Sequence, residues 1–470
     1  MSEMIRESGR RYNRVLESMS RPELRELQLN KLRKQAERAY ATIPFYRQRF
    51  DEAGLKPEHI RSLDDIRRLP VIGKDDIIVD QIEHPIYGTF LGVREDQIWE
   101  ITMSSGTSGK GQELHAFTVR DAHMRGALNA IGWAWAGNTR RDAMIFHIGA
   151  TNSASFGCMS RGIRATGRMS YLIGHVGFEE RIELMLKFGF EGMYGMPSAL
   201  NGIAMRLEDR GIDPRKQWPN LKAIMTSAES WPIEWVHRME DFWGCRVYEE
   251  YGSTQTHGTY GMSCCELGAV VDGKRGRNHF FEWSFIYEVV NPDTLEPVAE
   301  GEEGELIVTH LDKEASPLLR FRTRDRMRWF PHDACTCGLH LQSAEAGTIG
   351  RWDDMLKVKG QNIWPPTVDE MVLAYPFVDE YQARIFIDEH GRDQIELRYG
   401  LKKQPPDQAA FEKELGDRLK AETNLHMKVR EVPPSDLPHY STSDQKPRRW
   451  KDERHVGLAA GRPSYAKDGS

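Results

Sequence analysis

Hydrophobic residues recur with two different periods along this chain, and each period predicts a different kind of element. From Leu24 to Tyr40 they follow helical spacing, directly after a capping box at residues 20–23 that marks the start of a helix. Two strand-like runs, at residues 97–103 and 113–117, flank a stretch rich in glycine and hydroxyl residues. We therefore expect a hairpin with that stretch at its tip.

Beyond residue 143, short apolar runs alternate with segments of helical period. The predicted order is a strand at 144–149, a helix at 179–188, an apolar run at 192–198, a helix around 200–207, a strand at 221–226 and a helix at 233–242. Such alternation predicts a largely parallel sheet covered by helices. Ligands of such sheets bind at the carboxyl ends of the strands. Residues 226–229 and 251–255 each follow a strand-like run directly, so they belong on that edge.

From residue 280 the pattern changes to shorter β runs separated by turn residues, and a new unit begins near Gly350. Its predicted elements are a strand at 355–358, a helix at 367–375, strands at 382–387 and 394–399, a helix at 409–422 and a strand at 427–432. We predict an α/β fold class. A large N-terminal domain of β-sheets covered by helices spans residues 1–349, and a small α+β C-terminal domain spans residues 350–470.

Composition narrows the class of protein. A chain of 470 residues is too long for one core, so two unequal domains are expected. The net charge of -6 argues against a nucleic-acid partner, which would need clustered lysine and arginine. No apolar run predicts a membrane span, and the N-terminus has no apolar signal segment. Six cysteines in so long a chain do not form a disulfide scaffold, so a reducing, cytoplasmic setting is expected.

The glycine- and hydroxyl-rich stretch has the chemistry of a triphosphate cradle. It consists of Ser104, Ser105, Gly106, Thr107, Ser108, Gly109 and Lys110. Glycines let backbone N–H groups approach an oxyanion, hydroxyls donate further hydrogen bonds, and the lysine adds a positive charge. It differs from a Walker loop, which would have glycine at 104 and serine or threonine at 111 and would open a helix. A flexible turn with no ligand is the alternative interpretation.

The cysteines and one histidine suggest a metal site. Cys335 and Cys337 form a Cys-x-Cys pair, Cys264 and Cys265 are adjacent, and His279 lies between the two groups. Thiolates and an imidazole suit a structural zinc ion. Either Cys264 or Cys265 would be the ligand, and His332 and His340 compete for the role of His279. Buried free thiols are the alternative.

Six stretches of the chain, taken in order, resemble the phenylacetate–CoA ligase family of the adenylate-forming (AMP-forming) acyl-CoA synthetases. They are Ile43–Leu63, Ser104–Lys110, Ser227–Glu229, Glu250–Thr254, Arg320–Asp325 and Gly350–Gly360. The resemblance covers nearly the whole chain. It implies that the small domain is mobile and hinged at Asp353, within residues 351–354.

The resemblance also implies a role for individual residues. The residues that would bind ATP, besides the loop, are Ala228, Glu229, Glu250, Tyr251, Gly252, Ser253, Thr254, Asp325 and Arg351, the last two at the ribose. The acyl group would contact Phe156, Ser227 and Gly252, and coenzyme A would contact Lys357 and Gly360. Lys446 would be the catalytic residue, and Gln255 would help to bind magnesium. Many members of the family carry a zinc site where Cys264 or Cys265, His279, Cys335 and Cys337 stand.

The implied reaction joins a carboxylic acid to ATP as acyl-AMP and then transfers the acyl group to coenzyme A. The expected partners are therefore small molecules, and neither a nucleic acid nor a membrane is expected. The protein is expected to be a monomer or a homodimer. Transfer to a carrier-protein thiol or to an amine is an alternative, because the adenylating half would look identical. A non-catalytic ATP- or zinc-dependent binding protein is a third interpretation, against which the presence of Lys446, Asp325 and Arg351 argues.

Three positions depart from the family's pattern. Gln255 stands where most relatives have a glutamate, and an amide is a weaker ligand for a hard cation than a carboxylate. Gly111 replaces a proline, which predicts a more mobile loop. Residues 150–157 are mostly small and polar where relatives build an acyl pocket with aromatic and glycine residues, and Ser227 replaces a glycine. Our hypothesis is an aryl or unsaturated acid that carries hydroxyl or amino groups.

Overall fold

The fold is described here from a computed structural model of the chain. The model describes residues 12–104, 112–137, 144–147, 154–167, 169–172, 176–229, 231–255, 258–263, 268–352, 355–359, 361–388, 391–438 and 449–454. The helices are α1 (Arg14–Glu17), α2 (Arg21–Thr42), α3 (Pro44–Glu52), α4 (Lys74–Glu83), α5 (Val119–Trp135), α6 (Ala154–Ala165), α7 (Phe178–Lys187), α8 (Pro197–Asp209), α9 (Pro214–Gln217), α10 (Ile233–Trp243), α11 (Pro365–Leu373) and α12 (Gln408–Thr423).

The strands are short and many. They are β1 (Glu100–Met103), β2 (Leu114–Phe117), β3 (Met144–His147), β4 (Met169–Leu172), β5 (Gly192–Tyr194), β6 (Ala223–Thr226), β7 (Arg246–Ser253), β8 (Gly258–Ser263), β9 (Val270–Val271), β10 (Lys274–Arg275), β11 (Arg277–Phe280), β12 (Phe285–Val290), β13 (Glu303–His310), β14 (Phe321–Phe330), β15 (Ser343–Glu345), β16 (Gly350–Arg351), β17 (Leu356–Val358), β18 (Gln361–Ile363), β19 (Val378–Ile387), β20 (Asp393–Leu401), β21 (Lys428–Glu431) and β22 (Trp450–Asp452).

The chain divides into two compact units, Met1–Glu229 with Val236–Trp352, and Ser230–Trp235 with Asp353–Ser470. The first unit contains the large sheet, in the order β12-β13-β14-β15-β11-β8-β7-β6-β5-β3-β4, with β16 beside β14. The second contains the sheet β21-β20-β19-β22 and the helices α11 and α12. The predicted α/β class, with a large sheet domain and a small α+β region, is confirmed. In the part of the chain that the structure describes, no helix has the length and apolarity to span a bilayer.

The large sheet is parallel in one half and antiparallel in the other. Strands β4, β3, β5, β6 and β7 pair in parallel, as the alternating pattern predicts. From β7 onwards the pairing is antiparallel, because β7 and β8 follow each other after a short connection. A parallel pair would need a crossover of a dozen residues or more. The parallel sheet predicted from the alternating segment is confirmed, and the later strands extend it in antiparallel pairing.

Helix ends and the hairpin follow the sequence signals. The backbone N–H of Ser20 donates to Glu23 Oε2 at 2.8 Å, which closes the capping box of α2. Thr118 and Asp121 form the same exchange at the start of α5. Strands β1 and β2 pair antiparallel with Met103 opposite Leu114. The glycine-rich stretch therefore connects the two strands of a hairpin, as predicted.

The cores of both units are apolar, and α5 contributes two tryptophans, Trp133 and Trp135, that are fully buried in the first. In the second unit, Val368, Leu397 and Leu415 pack between the helices and the sheet. The sequence pattern missed two short strands there, β18 and β22. Three residues carry too little periodicity to indicate a strand.

A buried ion pair fixes the N-terminal segment to the sheet. Arg320 donates to both carboxylate oxygens of Glu288 on β12, at 3.1 and 3.0 Å. Its remaining N–H groups donate to the carbonyls of Arg67 and Leu69. Both charged side chains are only about 5–6% exposed.

Replacement of Glu288 with alanine is expected to lower the free energy of unfolding by about 3–5 kcal/mol, because it leaves the Arg320 guanidinium buried without its counter-ion. Chemical denaturation measures the change. Asp96→Ala is the control, because it breaks an ion pair with Arg94 whose side chains are 76% and 66% exposed and is expected to change stability by less than about 1 kcal/mol. Equal effects of the two substitutions would contradict this account.

Candidate active site

The base of the predicted phosphate loop is held by hydrogen bonds between its two ends. Ser104, at the end of β1, donates from its backbone N–H to the Glu113 carbonyl at 3.1 Å and from its hydroxyl to Glu113 Oε2 at 2.5 Å. The side-chain amide of Gln112 donates to the Ser104 carbonyl at 2.7 Å. The loop therefore begins and ends at a fixed pair of residues.

Glu113 collects donors from three separate segments. Besides Ser104, the ammonium of Lys74 on α4 lies 3.1 Å from Oε2, and the amide of Gln255 donates to Oε1 at 2.5 Å. Burial by itself would raise the pKa of this carboxyl. Hydrogen bonding and charge from His115, together with Ser104 and Lys74, outweigh it and lower the pKa to about 2. Glu113 is therefore a buried but ionised carboxylate.

A pair of hydroxyls lies at the carboxyl ends of β5 and β6. The Tyr194 hydroxyl and the Ser227 hydroxyl are hydrogen-bonded at 2.5 Å, and both side chains are buried. Ala228 follows with a φ of 69°, a left-handed conformation that costs roughly 1–2 kcal/mol for a residue with a Cβ. Strain of this kind clusters at ligand-binding sites. The next residue, Glu229, is also buried.

Strand β7 brings two more buried carboxylates to the same part of the sheet. Glu249 accepts from the Asn278 amide at 2.6 Å and from the Gly347 backbone at 2.8 Å. Glu250 accepts from the side-chain amide of Asn129 on α5 at 3.0 Å. These donors hold both carboxylates in place, and the Glu250 contact ties α5 to the strand.

Asp325 joins three of the predicted nucleotide-binding segments. The Tyr251 hydroxyl donates to its Oδ2 at 2.6 Å, and the Arg351 guanidinium lies 3.5 Å from its Oδ1. The pairing of β14 with β16 sets Asp325 directly opposite Arg351. Hydrogen-bond donors from Tyr251 and Arg351 therefore lie beside the acceptor oxygens of Asp325. A vicinal diol such as that of a ribose can both donate to and accept from such a set of groups.

The structure thus brings several predicted residues together. Tyr251, Asp325 and Arg351 are in contact, and Ser104 and Gln255 share one partner, Glu113. Gly252 and Ser253 are the last two residues of β7, and Thr254 follows them. Lys357 lies in the second unit, where its side chain is exposed and its carbonyl accepts from Arg454. The predicted residues that fall outside the described part are Ser105, Gly106, Thr107, Ser108, Gly109, Lys110, Cys264, Cys265, Asp353, Gly360, Lys446 and the side chain of Phe156.

Sequence reasoning missed four residues that these contacts bring to the site, namely Lys74, Glu113, Asn129 and Tyr194. The sequence contains one indication for Glu113. It begins the strand-like run at residues 113–117, and a carboxylate that is buried with such a strand needs hydrogen-bond donors. Tyr194 looked like an ordinary strand residue. Asn129 looked like the polar face of a helix.

His279, Cys335 and Cys337 form a cluster whose candidate ligand atoms lie within 4.8 Å of one another. The Cys337 sulfur is 3.2 Å from His279 Nε2, and His279 Nδ1 lies 3.4 Å from the Leu341 carbonyl. Strand β11 supplies the histidine and the turn after β14 supplies the thiols. Within the described residues His279, rather than His332 or His340, accompanies the two cysteines.

Comparison with known proteins gives two family matches. Residues 99–310 match the model of the AMP-binding enzymes, and residues 360–454 match the model of the AMP-binding enzyme C-terminal domain. The chain is 31% identical to the phenylacetate-coenzyme A ligase of Thermus thermophilus, over 82% of this chain and 83% of the relative. It is 29% identical to that of Escherichia coli, over 79% of this chain and 81% of the relative.

Solved structures extend the comparison. A crystal structure of 2-hydroxyisobutyryl-CoA ligase, in the postadenylation state with an acyl-AMP, matches 96% of this chain and 94% of its own, with a TM-score of 0.83 and 21% identity. The anthranilate CoA ligase AuaEII, in complex with anthranoyl-AMP, matches 86% of this chain and 76% of its own, with a TM-score of 0.54 and 18% identity. At these identities the likeness concerns the fold alone.

Proposed function

The chain belongs to the phenylacetate–CoA ligase family of AMP-binding enzymes, and on this premise we propose that it is an AMP-forming acid–CoA ligase. The observation that carries the proposal is the contact of Asp325 with Tyr251 and Arg351. These residues come from three segments that, by the resemblance, would bind the nucleotide. Their meeting at one carboxylate supports a site for the ribose of ATP.

The reaction has two steps. In the first, a carboxylate oxygen of the acid attacks the α-phosphorus of ATP, the bond to the β-phosphate breaks, and acyl-AMP and pyrophosphate form. In the second, a thiol of coenzyme A attacks the acyl carbon, its proton is lost, and AMP leaves. The first step brings two anions together, so positive charge at the reacting oxygens lowers its barrier.

The chain's own residues serve the first step by binding and charge. The loop from Ser104 to Lys110 would donate to the β- and γ-phosphates, and Asp325 with Arg351 would hold the ribose. Magnesium, when bound, would neutralise phosphate charge, and the side-chain oxygen of Gln255 would be a ligand of the type that such a hard cation takes. Lys446 would place its ammonium at the attacking oxygen.

The second unit contains a buried ion pair close in sequence to Lys446. Three residues further on, Arg449 donates to both carboxylate oxygens of Glu380 at 2.7 and 3.0 Å. Both side chains are buried, and Asp369 lies 3.8 Å from the same guanidinium. A lysine so close in sequence to this ion pair would follow any motion of the small domain as part of it. This ion pair supports the proposal that motion of the small domain brings the Lys446 ammonium to the reacting oxygen for the first step and removes it for the second.

The acid is proposed to be an aryl or unsaturated acid that carries a hydroxyl or amino group. The support is the Tyr194–Ser227 hydroxyl pair at the carboxyl ends of β5 and β6, where ligands of parallel sheets bind. Such hydroxyls can donate to and accept from a polar substituent. The 150–157 segment, on which the hypothesis also depends, lies mostly outside the described residues.

A structural zinc ion is proposed at the cluster of His279, Cys335 and Cys337. Two sulfurs and one imidazole nitrogen within 4.8 Å fit three corners of a tetrahedral site. The carbonyl of Leu341 beside Nδ1 favours the tautomer that leaves Nε2 for the metal. Cys264 or Cys265 would be the fourth ligand.

Purified enzyme given ATP, coenzyme A and a mixed acid library is expected to form acyl-CoA and AMP, with acyl-AMP accumulating when coenzyme A is omitted. Mass spectrometry identifies the acid. Pyrophosphate exchange is expected to be about fivefold faster with hydroxyl- or amino-substituted acids than with phenylacetate, since one hydrogen bond contributes about 1 kcal/mol. Ser227→Gly should narrow that ratio. Faster exchange with phenylacetate than with every substituted acid would refute the proposed class of acid. If the product were an amide or an acyl group bound to a carrier protein, the acceptor would be an amine or a carrier-protein thiol and not coenzyme A.

Lys446→Ala is expected to reduce ATP–pyrophosphate exchange by about 10²–10³-fold, because the charge that it removes acts on the transition state. ATP binding and the reaction of synthetic acyl-AMP with coenzyme A should change little. The control is Lys451→Ala, a 60% exposed lysine of the same unit whose partner is Glu453. Equal exchange rates in the two variants would show that Lys446 is a surface residue.

The purified protein is expected to contain about one zinc ion per chain, measured by elemental analysis, and to lose it in Cys337→Ser and in His279→Gln. Both variants should also unfold at a lower temperature. Cys245→Ser, which alters a thiol outside the cluster, should keep the metal. Comparison of Cys264→Ser with Cys265→Ser identifies the fourth ligand. Metal-free wild-type protein of unchanged stability would refute the site.

A further inference from the structure

The hairpin of β1 and β2 is a two-stranded sheet, so each strand has one edge that the other strand does not cover. A backbone hydrogen bond joins Ser104 to Glu113 across the hairpin, and this contact fixes the alternation along both strands. In an antiparallel pair every second residue turns its N–H and C=O groups to the partner strand, and the residues between them turn these groups outward. The outward residues of β1 are therefore Ile101 and Met103.

Two side chains cover the outer edge of β2. The Gln81 amide donates to the Leu114 carbonyl at 2.8 Å, and its oxygen accepts from the Leu114 N–H at 2.9 Å. The Ser316 hydroxyl donates to the Ala116 carbonyl at 3.1 Å and accepts from the Ala116 N–H at 3.2 Å. Leu114 and Ala116 thus face outward, as the alternation requires. Covering an edge in this way prevents it from pairing with a strand of another chain.

The outer edge of β1 has no such cover in the part of the chain that the structure describes. There, the outward N–H and C=O groups of Ile101 and Met103 make no hydrogen bond. The side chains of these two residues are 50% and 48% exposed, whereas Thr102 between them is 9% exposed. The strand contains neither lysine nor proline, the residues that commonly protect an edge, and its Glu100 is paired with Arg161 at 2.5 Å. This edge is therefore open and apolar.

The open edge is complementary to a second copy of itself. A two-fold axis beside Thr102 would place two β1 strands antiparallel, with Ile101 of each copy opposite Met103 of the other. All four residues turn their N–H and C=O groups to the shared edge, so the two pairs would form four hydrogen bonds. Their side chains would lie in contact on the face that is exposed in the single chain. Glu100 lies on the opposite face with Arg161, so no like charges would meet.

We propose that the outer edge of β1 is a dimerisation surface, at which two copies of this chain join their hairpins into one four-stranded antiparallel sheet. The same residues serve both sides of the contact, as a two-fold interface requires. The proposal does not rest on the proposed function, because it needs no ligand. One short strand is a small contact beside the roughly 800 Å² that each partner buries in a stable interface, so the dimer is expected to depend on protein concentration.

Analytical ultracentrifugation of the purified chain tests the proposal. The wild-type protein is expected to be a monomer at about 1 µM and a dimer at about 100 µM. Ile101→Lys with Met103→Lys sets like charges opposite each other across the axis and is expected to weaken dimerisation at least about tenfold. Ile101→Lys with Met103→Glu sets opposite charges there and is expected to restore the dimer. Val79→Lys, at a 52% exposed apolar residue of α4, is the control and should associate as the wild type does.

Each contrary outcome overturns the proposal in a different way. A wild-type chain that stays monomeric at about 100 µM does not use this edge. If both double variants dimerise as the wild type does, the contact lies elsewhere on the surface, and if both stay monomeric, the strands do not pair in the two-fold register. Hydrogen exchange gives a measurement without variants: the amides of Ile101 and Met103 are expected to exchange more slowly in the dimer than in the monomer, and equal exchange would refute the edge. None of these results depends on ligase activity.

Discussion

A buried carboxylate must be held by hydrogen-bond donors, and the candidate site of this protein depends on that constraint. Glu113, Glu249, Glu250 and Asp325 are all buried, with Glu113 directly before β2, Glu249 and Glu250 on β7, and Asp325 on β14. Each has a named donor from a different segment of the chain. The carboxylates therefore act as junctions, and the segments that they join are the ones with which a nucleotide would interact. Their positions are fixed before any ligand arrives.

This arrangement explains why a site can be built from so many short strands. Strands β5, β6 and β7 end on the same edge because they are parallel, which places Tyr194, Ser227 and Tyr251 near one another in the sheet order. The antiparallel half then returns Asp325 to the same region through β14 and its partner β16. A wholly parallel sheet would have kept these segments apart by whole crossover connections. The mixed topology is what lets tyrosine, aspartate and arginine meet.

Much of the fold could be predicted from sequence, and the reasons differ between elements. Helices such as α2 were predictable because a capping box at residues 20–23 and an apolar stripe from Leu24 to Tyr40 agree. The hairpin was predictable because two strand-like runs flank a glycine-rich stretch. The antiparallel half of the sheet and the short strand β22 were not, since pairing partners far apart in the chain leave no local pattern. The predicted roles of Tyr251, Asp325 and Arg351 came from the resemblance, and the contacts among them are consistent with it.

The residues that sequence missed share one property, which is that their importance lies in a partner rather than in a motif. Glu113 lies 142 residues from its partner Gln255 and belongs to none of the motifs, so the sequence does not point to this contact. Only the fold brings these two side chains into contact. A motif records which residue type stands at a position, whereas binding of a cation depends on where negative charge lies in space. A departure from a motif is therefore best judged from the contacts of the altered residue, and Gln255 contacts Glu113.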